Sequence, residues 1–123
     1  MKKNKNEKLM QILKDLRRVG DIDGSSVVSR DGLIVASDLL ADVDSKTFAA
    51  MSAAMTGAAE TASAELKKGN PSQIIVNSKL GSIITEGAGN RAILVCLIKV
   101  KANLGLILLN MHKQCKKIAK ILT

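Results

Sequence analysis

Tryptophan and tyrosine are absent, and Phe48 is the single aromatic side chain. A stacking platform for nucleic-acid bases is therefore excluded, and with no helix-turn-helix or zinc-finger spacing no specific nucleic-acid contact is expected. Any core must be filled by aliphatic side chains and methionine. Histidine occurs once, at His112, in a basic stretch that offers no nearby carboxylate to orient it, so a Ser-His-Asp arrangement has no evident second half. Cys96 sits in a strand-like run and Cys115 in a helix-like one, with no further Cys or His at ligand spacing, and both read as inert thiols. His112 and Cys115 together supply two ligands, too few for a zinc site. The longest unbroken apolar run, Ala92 to Ile98, is too short to cross a bilayer, and the lysine-rich start has no apolar signal region. A cytoplasmic location is expected.

Two further patterns fall short of chemistry. Asp38, Asp42 and Asp44 crowd one loop but lack the Gly and terminal Glu of a calcium loop, so they read as a helix entry. Gly87-Ala88-Gly89 resembles part of a phosphate-cradling loop, yet it joins two strands and no Lys-Ser or Lys-Thr follows, so it reads as a turn. No catalytic residue, metal ligand or cofactor-binding residue is expected, and the chain is not read as an enzyme.

What the sequence does contain is apolar bulk: 46% of its 123 residues, with a mean hydropathy of +0.14. That is enough for one domain, residues 1–123, with residues 1–6 as a basic tail. The net charge of +8 is concentrated at the ends, in Lys2, Lys3, Lys5 and Lys8 and again in Lys113, Lys116, Lys117 and Lys120. A solvated, solubilising face is the default for such charge.

Periodicity predicts the order α-β-β-α-β-β-β-α. Leu9, Ile12, Leu13, Leu16 and Val19 recur at helical spacing, closed by Gly20. Gly24 to Arg30 and Leu33 to Ser37 read as a hairpin about a type I′ turn at Asp31-Gly32. Gln73 to Ser78 and Ser82 to Glu86 read as a second hairpin, and Ala92 to Ile98 as a central strand covered on both faces. Asn103 is a plausible N-cap for a last helix whose buried stripe is Ile107, Leu108, Met111, Cys115, Ile118 and Leu122.

The middle helix is the most unusual segment. Ala49 to Ala64 is almost wholly Ala, Ser, Thr and Gly, with Ser45 as a candidate N-cap, Gly69 as a C-terminal stop and Pro71 beyond it. Phe48, Met51, Met55, Ala59, Ala62 and Leu66 form the bulkiest face, expected to sit on the core. Ala50, Ala54, Gly57, Thr61 and Ala64 form a second face, and Ala49, Ala53, Thr56, Glu60 and Ser63 a third. One charge across both lists is too few for an ordinary solvated surface, which points to pairing with a second copy of the chain.

The succession Gly24-Ser25-Ser26-Val27-Val28-Ser29-Arg30-Asp31-Gly32-Leu33, the alanine-rich helix, and Lys101-Ala102-Asn103-Leu104-Gly105-Leu106 entering the last helix resembles the roadblock family. This is the dynein light chain and gliding-motility regulator superfamily, here in its prokaryotic form with a third helix. The resemblance spans Leu9 to Leu122 and implies an α+β domain: a five-stranded antiparallel sheet between one long helix and two others. It also implies a homodimer in which middle helices pack together and edge strands of the second hairpin join. The expected dimer interface is Ala50, Ala54, Gly57, Thr61 and Ala64 with Ile74 and Val76. Relatives regulate small Ras-like GTPases as activators or scaffolds, so a GTPase-facing surface is expected around Ala49, Ala53, Thr56 and Glu60. Arg30 and Arg91, the arginines outside the first helix, are the candidates for the competing arginine-finger mechanism. The alternatives are an adaptor subunit with no effect on nucleotide turnover, or a small-ligand sensor.

Overall fold

The computed structural model describes residues 3–40 and 42–123, so Met1 and Lys2 of the expected tail and Ala41 of the acidic loop lie outside the described residues. Its elements are α1 (Lys5–Arg17), β1 (Ile22–Ser29), β2 (Ile34–Asp38), α2 (Ser45–Glu65), β3 (Ile74–Ser78), β4 (Gly81–Ala88), β5 (Ala92–Ile98) and α3 (Leu104–Ile121). The strands form one antiparallel sheet in the order β2-β1-β5-β4-β3. The unalternating run Ala92 to Ile98 is the central strand, as its continuous hydrophobicity requires of a strand buried on both faces.

Because side chains alternate across a sheet, each strand feeds two layers. On one face Leu9, Leu13 and Leu16 of α1 and Ile107, Met111 and Ile118 of α3 pack over Val27, Ile84, Leu94 and Cys96. On the other, Val28, Ile93 and Val95 meet Ala49 of α2. Helix ends are set by short polar side chains: Asn4 accepts from the Glu7 amide at 2.8 Å and Asn103 from the Leu106 amide at 3.1 Å. α1 begins at Lys5, so Lys5 and Asn6 of the expected basic tail are helical.

Several local expectations are corrected. The first hairpin turn is not type I′, which requires positive φ at both central residues, since only Gly32 (φ +90°) is left-handed. Instead the Gly32 amide donates to the Ser29 carbonyl at 3.0 Å and the Ser29 amide to the Leu33 carbonyl at 2.8 Å, closing a three-residue loop of the kind that ends on a glycine bulge. Gly32 is also needed for space, because a Cβ there would lie 3.2 Å from the Ala50 Cα. Asp44, not Ser45, caps α2, accepting from the Thr47 amide at 3.2 Å. The left-handed residue that ends α2 is Lys67 (φ 57°), two positions ahead of the expected Gly69. Gly87 and Ala88 pair with Ile93 and Ala92 as strand residues, so the turn into β5 is shorter than expected.

Candidate protein-interaction surface

α2 lies on the sheet through its smallest side chains. Ala49, Ser52 and Thr56 are its buried residues, with Ala53 partly buried beside them. The Thr56 hydroxyl is within hydrogen-bonding distance of both the Ser52 carbonyl, at 2.8 Å, and the Thr85 hydroxyl of β4, at 3.0 Å. One turn further on, Glu60 takes both carboxylate oxygens to Arg30 Nη1, at 2.7 and 2.8 Å, while Arg30 Nη2 donates to the Gly89 carbonyl at 3.0 Å. The guanidinium reaches that point by crossing β4 at Gly87, where a Cβ would come within 2.7 Å of it.

This phase overturns two readings of α2. Ala49 and Thr56 are 0% and 1% exposed, so they serve the helix's own contact with the sheet and are not available to a GTPase. Ala53 is half-buried on that side, and Glu60 is held in the ion pair. The bulky face expected to seat the helix is instead a flank: Met51 is 65% and Leu66 70% exposed, while Phe48, Met55 and Ala59 are half-buried and Ala62 is exposed. The reason is steric. Small side chains let α2 lie close on the sheet, and the larger ones are displaced to its edge.

That edge is not finished. Phe48, Met51, Ser52 and Met55 form, with Ile83 of β4, an almost wholly apolar groove of about 180 Å³. Ile74 and Val76 pair with Thr85 and Ile83, so they stand on the same sheet face as α2 and extend the apolar surface outward to β3. β3 is five residues long and is an outer strand of the sheet, with a free row of backbone donors and acceptors. Ala50, Ala54, Gly57, Thr61 and Ala64 are all exposed along the helix.

A second, polar cavity of about 330 Å³ opens where β3 stops short of the end of β4, lined by Arg30, Glu60, Glu86 and His112 among others. Here the sequence reading of His112 fails. Its Nδ1 lies 2.9 Å from Glu86 Oε2, and the Gln73 amide donates to Glu86 Oε1 at 2.9 Å. The carboxylate sits on a strand, 26 residues away along the chain, so only the alternation that turns Glu86 toward α3 could have signalled it. Among the described residues no activated nucleophile bonds to this dyad. Cys115, 3.9 Å from the Glu86 carbonyl, is buried, and burial together with the charge of Glu86 pushes its thiol upward, away from the thiolate form. The same causes hold the Cys96 thiol up to about 12. Among the described residues no three His, Cys, Asp or Glu side chains gather as a metal site.

Two further singled-out residues lie outside this cavity. Arg91 is exposed, and its carbonyl accepts from the Arg30 amide at 3.2 Å. Asp38 binds Arg17 through both oxygens, at 2.9 and 3.0 Å, tying the end of β2 to α1. No helix among the described residues is long and apolar enough to cross a membrane.

Comparison with known proteins agrees with this architecture. The Roadblock/LC7 domain family model matches residues 8–98. An uncharacterized protein of Methanocaldococcus jannaschii is 39% identical over 108 residues, which is 88% of this chain and 94% of that protein. Among solved structures, MglB in a tetrameric arrangement superposes with a TM-score of 0.88 at 18% identity, over 98% of this chain and 92% of that one. The gliding protein MglB of Thermus thermophilus superposes at 0.86 and 18% identity, over 98% and 93%.

Proposed function

The chain belongs to the Roadblock/LC7 domain family, and from that membership we propose that it is a homodimeric, non-catalytic regulator of a small Ras-like GTPase. The observation that carries the reading is the uncovered apolar flank of α2 beside the free edge of β3. A monomer that leaves Met51 at 65% exposure, with an apolar groove between helix and sheet and Ile74 and Val76 only half-buried beside it, retains apolar surface that association would bury. The tetrameric arrangement of a fold neighbour is consistent with self-association through this fold.

α2 spans about 31 Å at the rise of an ideal helix, which is room for two contacts. Its N-terminal half carries the bulk, in Phe48, Met51 and Met55, and we assign it with Ala50, Ala54, Ile74 and Val76 to the twin copy, where burial of large side chains gives lasting association. Its C-terminal half presents Gly57, Thr61 and Ala64, which the sequence reading assigns to the dimer seam; they are exposed, small and uncharged, and with Ala49 and Thr56 buried and Glu60 paired this half is assigned instead to the GTPase. A transient partner needs close approach there without a deep hydrophobic core. Arg30 is committed to Glu60 and Gly89, so the regulator acts by ordering the GTPase's own groups and supplies no arginine finger from that position.

The test is a hydrolysis and nucleotide-exchange assay with a cognate GTPase, run with the wild-type protein and with Thr61→Arg. A changed rate with wild type that is lost in Thr61→Arg, while light scattering still reports a dimer, supports the assignment. Complex formation with no change in either rate would replace it with the scaffold reading, and no complex at all would end it.

A further inference from the structure

The layer opposite α2 is chemically one-sided. α3 carries four lysines and no acidic residue. Much of its solvent side is a single stripe, because Leu106, Leu109, Lys113, Lys116, Lys117 and Lys120, at about 100° per residue, fall within about 100° of the helix circumference. The buried residues Ile107, Met111, Gln114, Cys115 and Ile118 occupy the other side. All four lysines are exposed, and the stripe opens with two leucines that are themselves 45% and 55% exposed. α1 packs beside α3 on the same sheet face and adds exposed Lys5, Lys8 and Lys14, with exposed Lys3 just ahead of it, against Glu7 and Asp15. Asp15 is partly engaged by Gln11 at 2.9 Å.

Solubilising surfaces intersperse both signs, whereas this stripe has one sign and an apolar beginning. We propose that the α1/α3 layer is a docking face for an anionic lipid bilayer, with the lysines over the headgroups and Leu106 and Leu109 entering the interface. Lysines arrayed on a flat helical layer neutralise a diffuse negative surface without fixed geometry, which suits headgroups. α3 holds no arginine to fork onto a phosphate or guanine and no Phe, Tyr or Trp to stack on a base, and its His112 lies outside the lysine stripe and is paired with Glu86, so a nucleic acid fits the face poorly. The face lies across the sheet from α2, so lipid binding leaves the proposed dimer and GTPase surfaces free.

Co-sedimentation of the full chain with vesicles of phosphatidylglycerol in phosphatidylcholine, and with pure phosphatidylcholine, tests the proposal. Binding is expected to the anionic vesicles only, and to weaken steeply as salt shortens the screening length below about 10 Å. Each lysine at such a surface is worth about fivefold in affinity, so K116Q/K117Q should lose about 25-fold with its melting temperature unchanged. Leu106→Ser/Leu109→Ser should weaken binding while keeping its salt dependence. Equal binding to neutral vesicles, no binding to anionic ones, or tighter binding to a DNA or RNA duplex than to the vesicles would each overturn the assignment. None of these outcomes alters the dimer measured by light scattering, so its failure and that of the GTPase reading are separable.

Discussion

The two helical layers of this molecule use opposite means to stay on one sheet. Among the described residues the α1/α3 layer buries a core of seventeen apolar residues, led by Leu13, Leu16, Met111 and Ile118, whereas the α2 layer has a core of four. What α2 has instead is specific: the Thr56–Thr85 contact, the Arg30–Glu60 ion pair and a capped N-terminus. One layer is held by hydrophobic area, and the other by close approach and a few directional bonds while its apolar flank stays open. The lesson is that a helix can be folded against its own sheet and still have its largest side chains available to another molecule.

The sharpest way to break that contrast is to cut a methionine from each layer. Met111 is fully buried between α3 and the sheet, and Met111→Ala should cost about 2–5 kcal/mol by lost burial and a residual cavity, read as a lower denaturant midpoint. Met51 is largely exposed in the protomer, so Met51→Asp should leave the unfolding of a dilute monomer nearly unchanged. On the dimer it should act strongly, raising the dissociation constant about 100-fold or more, because a carboxylate would be desolvated in an apolar contact. A Met51→Asp protein that remains a dimer by light scattering would place the interface elsewhere.

Much of the well-packed layer was legible in the sequence, and much of the open one was not. The three-and-four spacing of Leu9, Leu13 and Leu16, the stripe from Ile107 to Ile118 and the unbroken run of β5 all follow from bulky residues going inward. On α2 the same rule gives the wrong phase. Phe48, Met51, Met55 and Leu66 mark the flank, and Ala49, Ser52 and Thr56 touch the sheet, so size and burial are inverted. The Glu86–His112 and Arg30–Glu60 pairs were out of reach for a different reason: each joins elements 26 or 30 residues apart, and no local spacing encodes such a contact.

The directional bonds of the α2 layer give a smaller effect. Arg30→Ala removes the ion pair to Glu60 and the bond to the Gly89 carbonyl. Both side chains of the pair are about one-third exposed, and solvent screening limits the loss to about 1 kcal/mol. Hydrogen exchange should show the loss concentrated in α2 amides, with α1 and α3 protected as before. Uniform loss of protection across all three helices would mean that the two layers are not energetically separate.

The smallest expected effect distinguishes the layers by pH. Asp44 caps α2, and its carboxyl is held below the usual carboxylate range chiefly by the Thr47 backbone amide, with the Thr47 hydroxyl adding to it. Because its folded value is depressed, the cap's contribution is fully present above the unfolded value near 3.8 and is lost as pH falls through the folded one. Asp44→Asn, which keeps an acceptor without the charge, should therefore lower the melting temperature slightly at neutral pH and flatten its decline in acid. Opposing layers predict where the decline is felt: acid should loosen α2 amides before those of α3, whose cap, Asn103, does not titrate. Simultaneous loss in both helices, or an unchanged acid slope in the variant, would show that the cap does not set the acid sensitivity of this layer.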